Sequence, residues 1–100
     1  MIIRVVQMHF RPEAVAEIQQ RLLEQAPKVR AFPGCLHLSL HCDAESPNTL
    51  YSISYWESPE ALAAYRQSSL FRAFWAELKG YFSGPARAFT LQEAFLSLSS

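Results

Sequence analysis

Two eight-residue runs, CLHLSLHC from Cys35 to Cys42 and TLYSISYW from Thr49 to Trp56, restrict the folds open to this chain more than any other feature. Both alternate with a period of two, the signature of a strand with two distinct faces. In the first run Leu36, Leu38 and Leu40 point one way, and His37, Ser39 and His41 the other. In the second, Tyr51, Ile53 and Tyr55 oppose Leu50, Ser52, Ser54 and Trp56. The segment between them, Asp43-Ala44-Glu45-Ser46-Pro47-Asn48, carries turn chemistry. A connection this short makes the two strands an antiparallel hairpin. Setting Asp43 opposite Asn48 puts His41 against Leu50, Ser39 against Ser52 and His37 against Ser54. That register sorts the faces by kind: one Leu/Tyr/Ile, the other His/Ser with a tryptophan at its end.

The flanking segments complete the pattern. Ile2 to Phe10 is β-branched and reads as a strand. Pro12 and Glu13 suit a first helical turn. Val15, Ile18, Leu22 and Ala26 then recur on one helical face, and Pro27 ends the regular helix within a few residues. Phe32-Pro33-Gly34 is a turn. Ser58-Pro59-Glu60 joins an N-cap hydroxyl, an N1 proline and an acid, and so starts a second helix. Ser68-Ser69 marks a break or a second cap. Leu70, Phe71, Phe74, Trp75 and Leu78 continue as an apolar stripe to Phe82. Ser83-Gly84-Pro85 ends it, Ala86 to Leu91 is a last strand, and Gln92 to Ser100 is a short strand or an ordered extension. The order β-α-β-β-α-β predicts an α+β, ferredoxin-like antiparallel sheet with helices on one face. One hundred residues suit a single domain, 1–100. Both faces of the hairpin carry rings or leucines, which a lone domain leaves uncovered. The expectation is a homodimer packed sheet against sheet.

Several function classes drop out. Nine basic residues balance nine acidic ones with no basic run, which excludes a phosphate-driven nucleic-acid partner. No apolar run approaches the ~20 residues of a membrane span. MIIRVVQMHF lacks the layout of a signal peptide, so a cytoplasmic location is expected. Cys35 and Cys42, seven apart on one strand, stand roughly 23 Å apart and do not form a disulfide. His37 and His41 stand about 13 Å apart, too far to share an ion, so no metal site is expected. Three glycines do not make a phosphate loop, which argues against a nucleotide or flavin. A Cys35–His37 pair spans nearly 7 Å, and Ser52 and Ser54 lack an acid in their strand. Neither nucleophile arrangement is expected.

The aromatic set remains. Trp56, Tyr65, Phe71 and Trp75 are either ordinary core or the walls of a pocket. Under the register above they meet His37, Ser39, His41, Ser52 and Ser54, polar groups that are costly to bury unbonded. A pocket with aromatic walls and a few polar groups that orient a ligand resolves that conflict.

The YWES strand end, PEALAAYRQSSLFRAFW, FPGCLHL and the Pro-Asn turn before the third strand resemble the antibiotic biosynthesis monooxygenase family over nearly the whole chain. The resemblance implies a dimeric α+β barrel of two ferredoxin-like sheets, each subunit with a pocket between sheet and helices. Some members oxidise phenols or quinols with dioxygen and use no metal, flavin or other prosthetic group; others open haem. In the oxidising members a strand tryptophan lies in the pocket, and Trp56 matches it. Their asparagine four residues earlier is Ser52 here, and their helix tyrosine six residues later is Leu62. The asparagine, tryptophan and axial histidine of the haem-degrading members fall on or near Val6, Tyr65 and Trp75, so the haem ligand is missing. The resemblance thus implies a cofactor-free monooxygenase acting on a small aromatic phenol or quinol. Ser52 and His37 would hydrogen-bond a phenol oxygen, and His37 or His41 would serve as general base. Trp56, Leu62, Tyr65, Phe71 and Trp75 would surround the ring. The alternative is a non-catalytic dimer that binds a small hydrophobic ligand, or a stress-related structural protein.

Overall fold

The computed structural model describes residues 1–93 and 98. The extension expected beyond Gln92 lies outside the described residues except for Glu93 and Leu98. Strand β1 (Ile2–His9) leads through a single turn of 3-10 helix (Pro12–Ala14) into helix α1 (Val15–Arg30). Strands β2 (Cys35–Cys42) and β3 (Thr49–Trp56) follow, then helices α2 (Pro59–Gln67) and α3 (Ser69–Lys79) and strand β4 (Arg87–Gln92). The sheet order is β2-β3-β1-β4, with every neighbouring pair antiparallel. The chain is α+β with a ferredoxin-like sheet, as the element order predicts.

Local chemistry sets the boundaries. Ser58 accepts a hydrogen bond from the Ala61 amide and caps α2 ahead of Pro59. Ser68 accepts from the Phe71 amide and caps α3, so the serine pair divides the segment into two helices. Pro27 lies inside the last turn of α1, which ends three residues later at Arg30. Its missing amide leaves the Leu23 carbonyl without its intrahelical donor, and the helix runs less than one further turn.

The hairpin register differs from the one that sorts faces by kind. Cys42 pairs with Leu50, His41 with Tyr51, Leu40 with Ser52, Ser39 with Ile53 and His37 with Tyr55. The shift is one residue from His37 to Cys42, so the β2 side chains over that stretch lie on the other face relative to β3. The loop supplies the reason. Asp43 Oδ2 accepts from the amides of Glu45 and Ser46, and the Asp43 amide donates to the Thr49 carbonyl. That Asx arrangement closes the hairpin between Asp43 and Thr49 rather than between Asp43 and Asn48.

Two unlike faces result. Toward the helices point Ile2, Arg4, Val6 and Met8 of β1, Leu38 and Leu40 of β2, and Leu50, Ser52, Ser54 and Trp56 of β3. The opposite face presents Ile3, Val5, Tyr51, Ile53, Tyr55, Phe89 and Leu91 with His37, Ser39 and His41. A bulge between Cys35 and His37 adds Leu36 to β2 and turns Cys35 back toward the helices beside Trp56. Leu36 is left exposed.

Two buried clusters fix the helices. Met8, Phe10, Ile18, Leu22, Leu50 and Leu78 form one, and Ile2, Cys35, Trp56 and Leu62 the other. An Arg21–Glu77 ion pair ties α1 to α3. Gly34 joins the second cluster to its turn with φ +88°, where a Cβ would lie 2.5 Å from the Ala61 Cβ. We expect Gly34→Ala to lower unfolding stability by about 1–3 kcal/mol, from backbone strain and that collision together. A chemical denaturation midpoint unchanged from the natural chain would contradict this.

Candidate functional site

The helix-facing side of the sheet and the helices are not closed against each other. Between them lies a cavity of about 460 Å³. Its floor is Val6, Leu38, Leu40, Ser52 and Ser54, and Arg4 stands among them on β1. Its roof is Leu62, Tyr65 and Arg66 of α2 with Phe71, Phe74 and Trp75 of α3; Gln25 and Val29 of α1 close one side. The size falls in the range of small-molecule sites.

The roof is a train of rings. Tyr65 stacks on Trp56 at 4.8 Å and 24°, Phe71 meets Tyr65 edge-on at 5.2 Å, and Phe71 stacks on Trp75 at 5.8 Å and 14°. Ser68 makes this possible: by ending α2 and capping α3 it turns the chain so that Tyr65 and Phe71 meet. Phe32 packs edge-on against both Trp56 and Tyr65. Burial pushes the Tyr65 phenol up to about 12, with the nearby Cys35 thiol adding in the same direction. At neutral pH Tyr65 is therefore a neutral hydroxyl donor.

Of the residues singled out in the sequence, Ser52, Leu62, Tyr65, Phe71 and Trp75 line the cavity together. Trp56 does not. It is 0% exposed, and its indole Nε1 donates to Ser54 Oγ at 2.9 Å, so both polar groups are satisfied within the core. His37 and His41 are corrected by the register. They lie on the opposite face of the sheet from Ser52, where His37 packs against Tyr55 at 4.6 Å with the rings tilted by 31°, and His41 Nε2 pairs with Ser39 Oγ at 2.8 Å. His41 also borders a shallower hollow of about 210 Å³ at the β2 edge, beside Gln19 and Cys42.

Arg4 and Arg66 were not among the sequence candidates. Arg4 interrupts the apolar set Ile2, Val6 and Met8 on the inward face of β1, and that break in the apolar face is the signal that could have found it. Its Nη1 donates to Thr90 Oγ1 at 2.6 Å. Burial, and then the charge of Arg66, hold the Arg4 guanidinium below its ordinary value. The ion pairs among the described residues, Arg11–Glu13 and Arg21–Glu77, include neither arginine. Among the described residues no carboxylate, imidazole or thiol lines the cavity. Among the described residues no three His, Cys, Asp or Glu side chains gather around one metal position.

The family model described as antibiotic biosynthesis monooxygenase matches residues 1–77. The chain belongs to the antibiotic biosynthesis monooxygenase family. Solved structures share the family fold over nearly the whole chain. An antibiotic biosynthesis monooxygenase crystal structure superposes with a TM-score of 0.87 at 20% identity, covering 94% of this chain and 99% of that one. Rv0793 from Mycobacterium tuberculosis superposes at 0.85 with 22% identity, covering 99% and 98%. A Deinococcus radiodurans protein named for the same family superposes at 0.91 with 17% identity, covering 100% and 99%. Among curated proteins none matches the sequence significantly. At these identities the superpositions speak for the fold alone. No helix among the described residues is long and apolar enough to cross a membrane.

Proposed function

We propose that this family member is a cofactor-independent monooxygenase for a small aromatic phenol or quinol, with the ring-roofed cavity as its site and a homodimer as its working form. The observation that carries the reading is the cavity itself. Flat rings of Tyr65, Phe71 and Trp75 face a floor whose polar groups are few, which suits a flat aromatic ligand held by one or two oxygens. Monooxygenase chemistry is what the family is named for. Oxidation of a phenol to a quinone by dioxygen balances without an added reductant. Ring carbon gives up four electrons, one oxygen atom becomes the new carbonyl, and the other leaves as water. Ser52 Oγ and the neutral Tyr65 hydroxyl would orient the phenol oxygen. The positive charge of Arg4 and Arg66 would favour the phenolate, the electron-rich form that dioxygen attacks.

The test is oxygen uptake with dihydroxynaphthalene or an anthrone. We expect one quinone formed per dioxygen consumed. Ser52→Ala should lower kcat/KM on the order of tenfold, the worth of one orienting hydrogen bond. His37→Ala should leave it unchanged, because His37 lies across the sheet. No oxygen uptake with either compound would overturn the catalytic reading.

A second reading, a non-catalytic dimer that holds a small hydrophobic ligand, draws on one observation: among the described residues the cavity has no carboxylate or imidazole to take a proton. Binding of the same compounds without turnover would decide for it.

The dimer is supported by the sheet face away from the helices. Ile3, Val5 and Ile53 lie at its centre, and Phe89 and Leu91 are 43% and 49% exposed. A contiguous apolar sheet face of this kind is covered in stable proteins. Among the described residues every element that covers a sheet face is on the other side, so a second copy would cover this one.

A further inference from the structure

The aromatic-ligand reading leaves the two cavity arginines underused. A guanidinium carries five N–H donors in a flat fork. A phenolate oxygen is a single point of acceptance and leaves most of those donors to water. Arg66 is partly explained without a ligand: it sits in the last turn of α2, where a cation complements the helix dipole. Arg4 has no such explanation. It stands on the inward face of an inner strand, between Ser54 of β3 and Thr90 of β4, and its one side-chain hydrogen bond among the described residues goes to a neutral hydroxyl. Both arginines line the same cavity, and neither is in an ion pair among the described residues. A second copy packed on the open sheet face would lie on the wrong side to supply an acidic partner.

A half-buried Arg4 with no carboxylate beside it among the described residues, and a second cation at the cavity edge in the exposed Arg66, together favour an anion between them. A planar two-oxygen anion matches a guanidinium fork in a way that a phenolate does not. We propose that the cavity takes an aromatic compound bearing a carboxylate, with the ring under Phe71 and Trp75 and the carboxylate held by Arg4 and Arg66. The proposal rests on the aromatic-cavity reading above and narrows its substrate class to hydroxylated aromatic acids. The arginines are binding and specificity residues here. They fix which end of the substrate enters first and leave the phenol end beside Ser52 and Tyr65.

Calorimetric titration with 1-naphthol and with 1-hydroxy-2-naphthoate, a pair differing by the carboxylate, tests this. The naphthoate should bind at least about tenfold more tightly than naphthol, and the preference should shrink as salt rises from about 50 to 500 mM. Arg4→Gln and Arg66→Gln should each lose about tenfold for the naphthoate and a clearly smaller factor for naphthol. An unchanged far-UV circular dichroism spectrum shows that the variant is folded, and the salt series on the natural chain gives a readout free of any variant. Equal affinity for the two compounds, or a preference that survives both substitutions, would overturn the anion site while leaving the aromatic cavity standing. Binding of neither compound would overturn the cavity reading and this inference with it. Tight naphthoate binding without oxygen uptake on hydroxylated naphthoates would keep the anion site and remove the monooxygenase.

Discussion

Trp56→Ala should destabilise the protein by about 3–5 kcal/mol, the usual cost of truncating a fully buried large ring. In a domain of this size the whole stability is about 5–15 kcal/mol. The variant should therefore melt well below the natural chain, by more than about 10 °C at 4–8 °C per kcal/mol. Three losses combine. The indole is 0% exposed among Ile2, Cys35 and Leu62, so its removal leaves a cavity. Ser54, itself buried, loses the Nε1 donor that now satisfies it at 2.9 Å. Tyr65 loses the ring on which it stacks at 4.8 Å. The outcome separates two roles. A pocket-wall tryptophan would lower ligand affinity and leave the melting temperature nearly unchanged. A core tryptophan lowers stability first, and affinity only through the displaced Tyr65. A loss under about 1 kcal/mol by urea denaturation would return Trp56 to the pocket.

Ile53→Asp should convert a dimer into a monomer. Ile53 lies mid-strand on the open sheet face, beside Val5 of β1 and Ser39 of β2. On one free chain a carboxylate there meets water at little cost. In a sheet-to-sheet dimer it would be buried without a partner, and two-fold symmetry counts the cost twice. A few kcal/mol per site weakens association by at least about a hundredfold. Sedimentation at about 10 µM should show two-chain particles for the natural protein and 11.4 kDa particles for the variant. A natural chain that sediments as a single copy would overturn the dimer. A variant that still pairs would move the interface off this face. The helix-side cavity should survive the change, because Ile53 points away from it. Naphthol binding by the monomeric variant would show that the two faces are independent.

The fold was legible because its signals are local. Ser58, Pro59 and Glu60 start α2, Ser68 caps α3, and the two alternating runs are β2 and β3 over the spans expected. The family was legible for the same reason: its motifs are the element ends and their spacing. The site was half legible. Ser52, Leu62, Tyr65, Phe71 and Trp75 converge on the cavity, since each lies on an element whose inward face the periodicity indicates. The sequence pattern puts His37 and His41 on the side of Ser52, which the sheet does not, and gives no prominence to Arg4. Both follow from matching faces by kind. Histidines placed beside serines look like a polar site, and an arginine inside IIRVVQMH looks like the exposed residue of a strand.

The sequence by itself determined the elements, their order and the family, although α3 stops at Lys79 rather than at the Phe82 its apolar stripe reaches. Caps, prolines and alternation act within a few residues and need no distant partner. Only the tertiary structure decided what faces what. Asp43 closes the loop on Thr49 rather than Asn48, and that single residue of register moves both histidines to the sheet face opposite Ser52. The bulge at Leu36 restores Cys35 to the core beside Trp56. Strand pairing then places Arg4, and helix packing places Arg66, on one cavity from positions 62 residues apart. Side-chain parity on a strand is a two-valued quantity set by hydrogen bonds across the chain, and no pattern within either strand carries it.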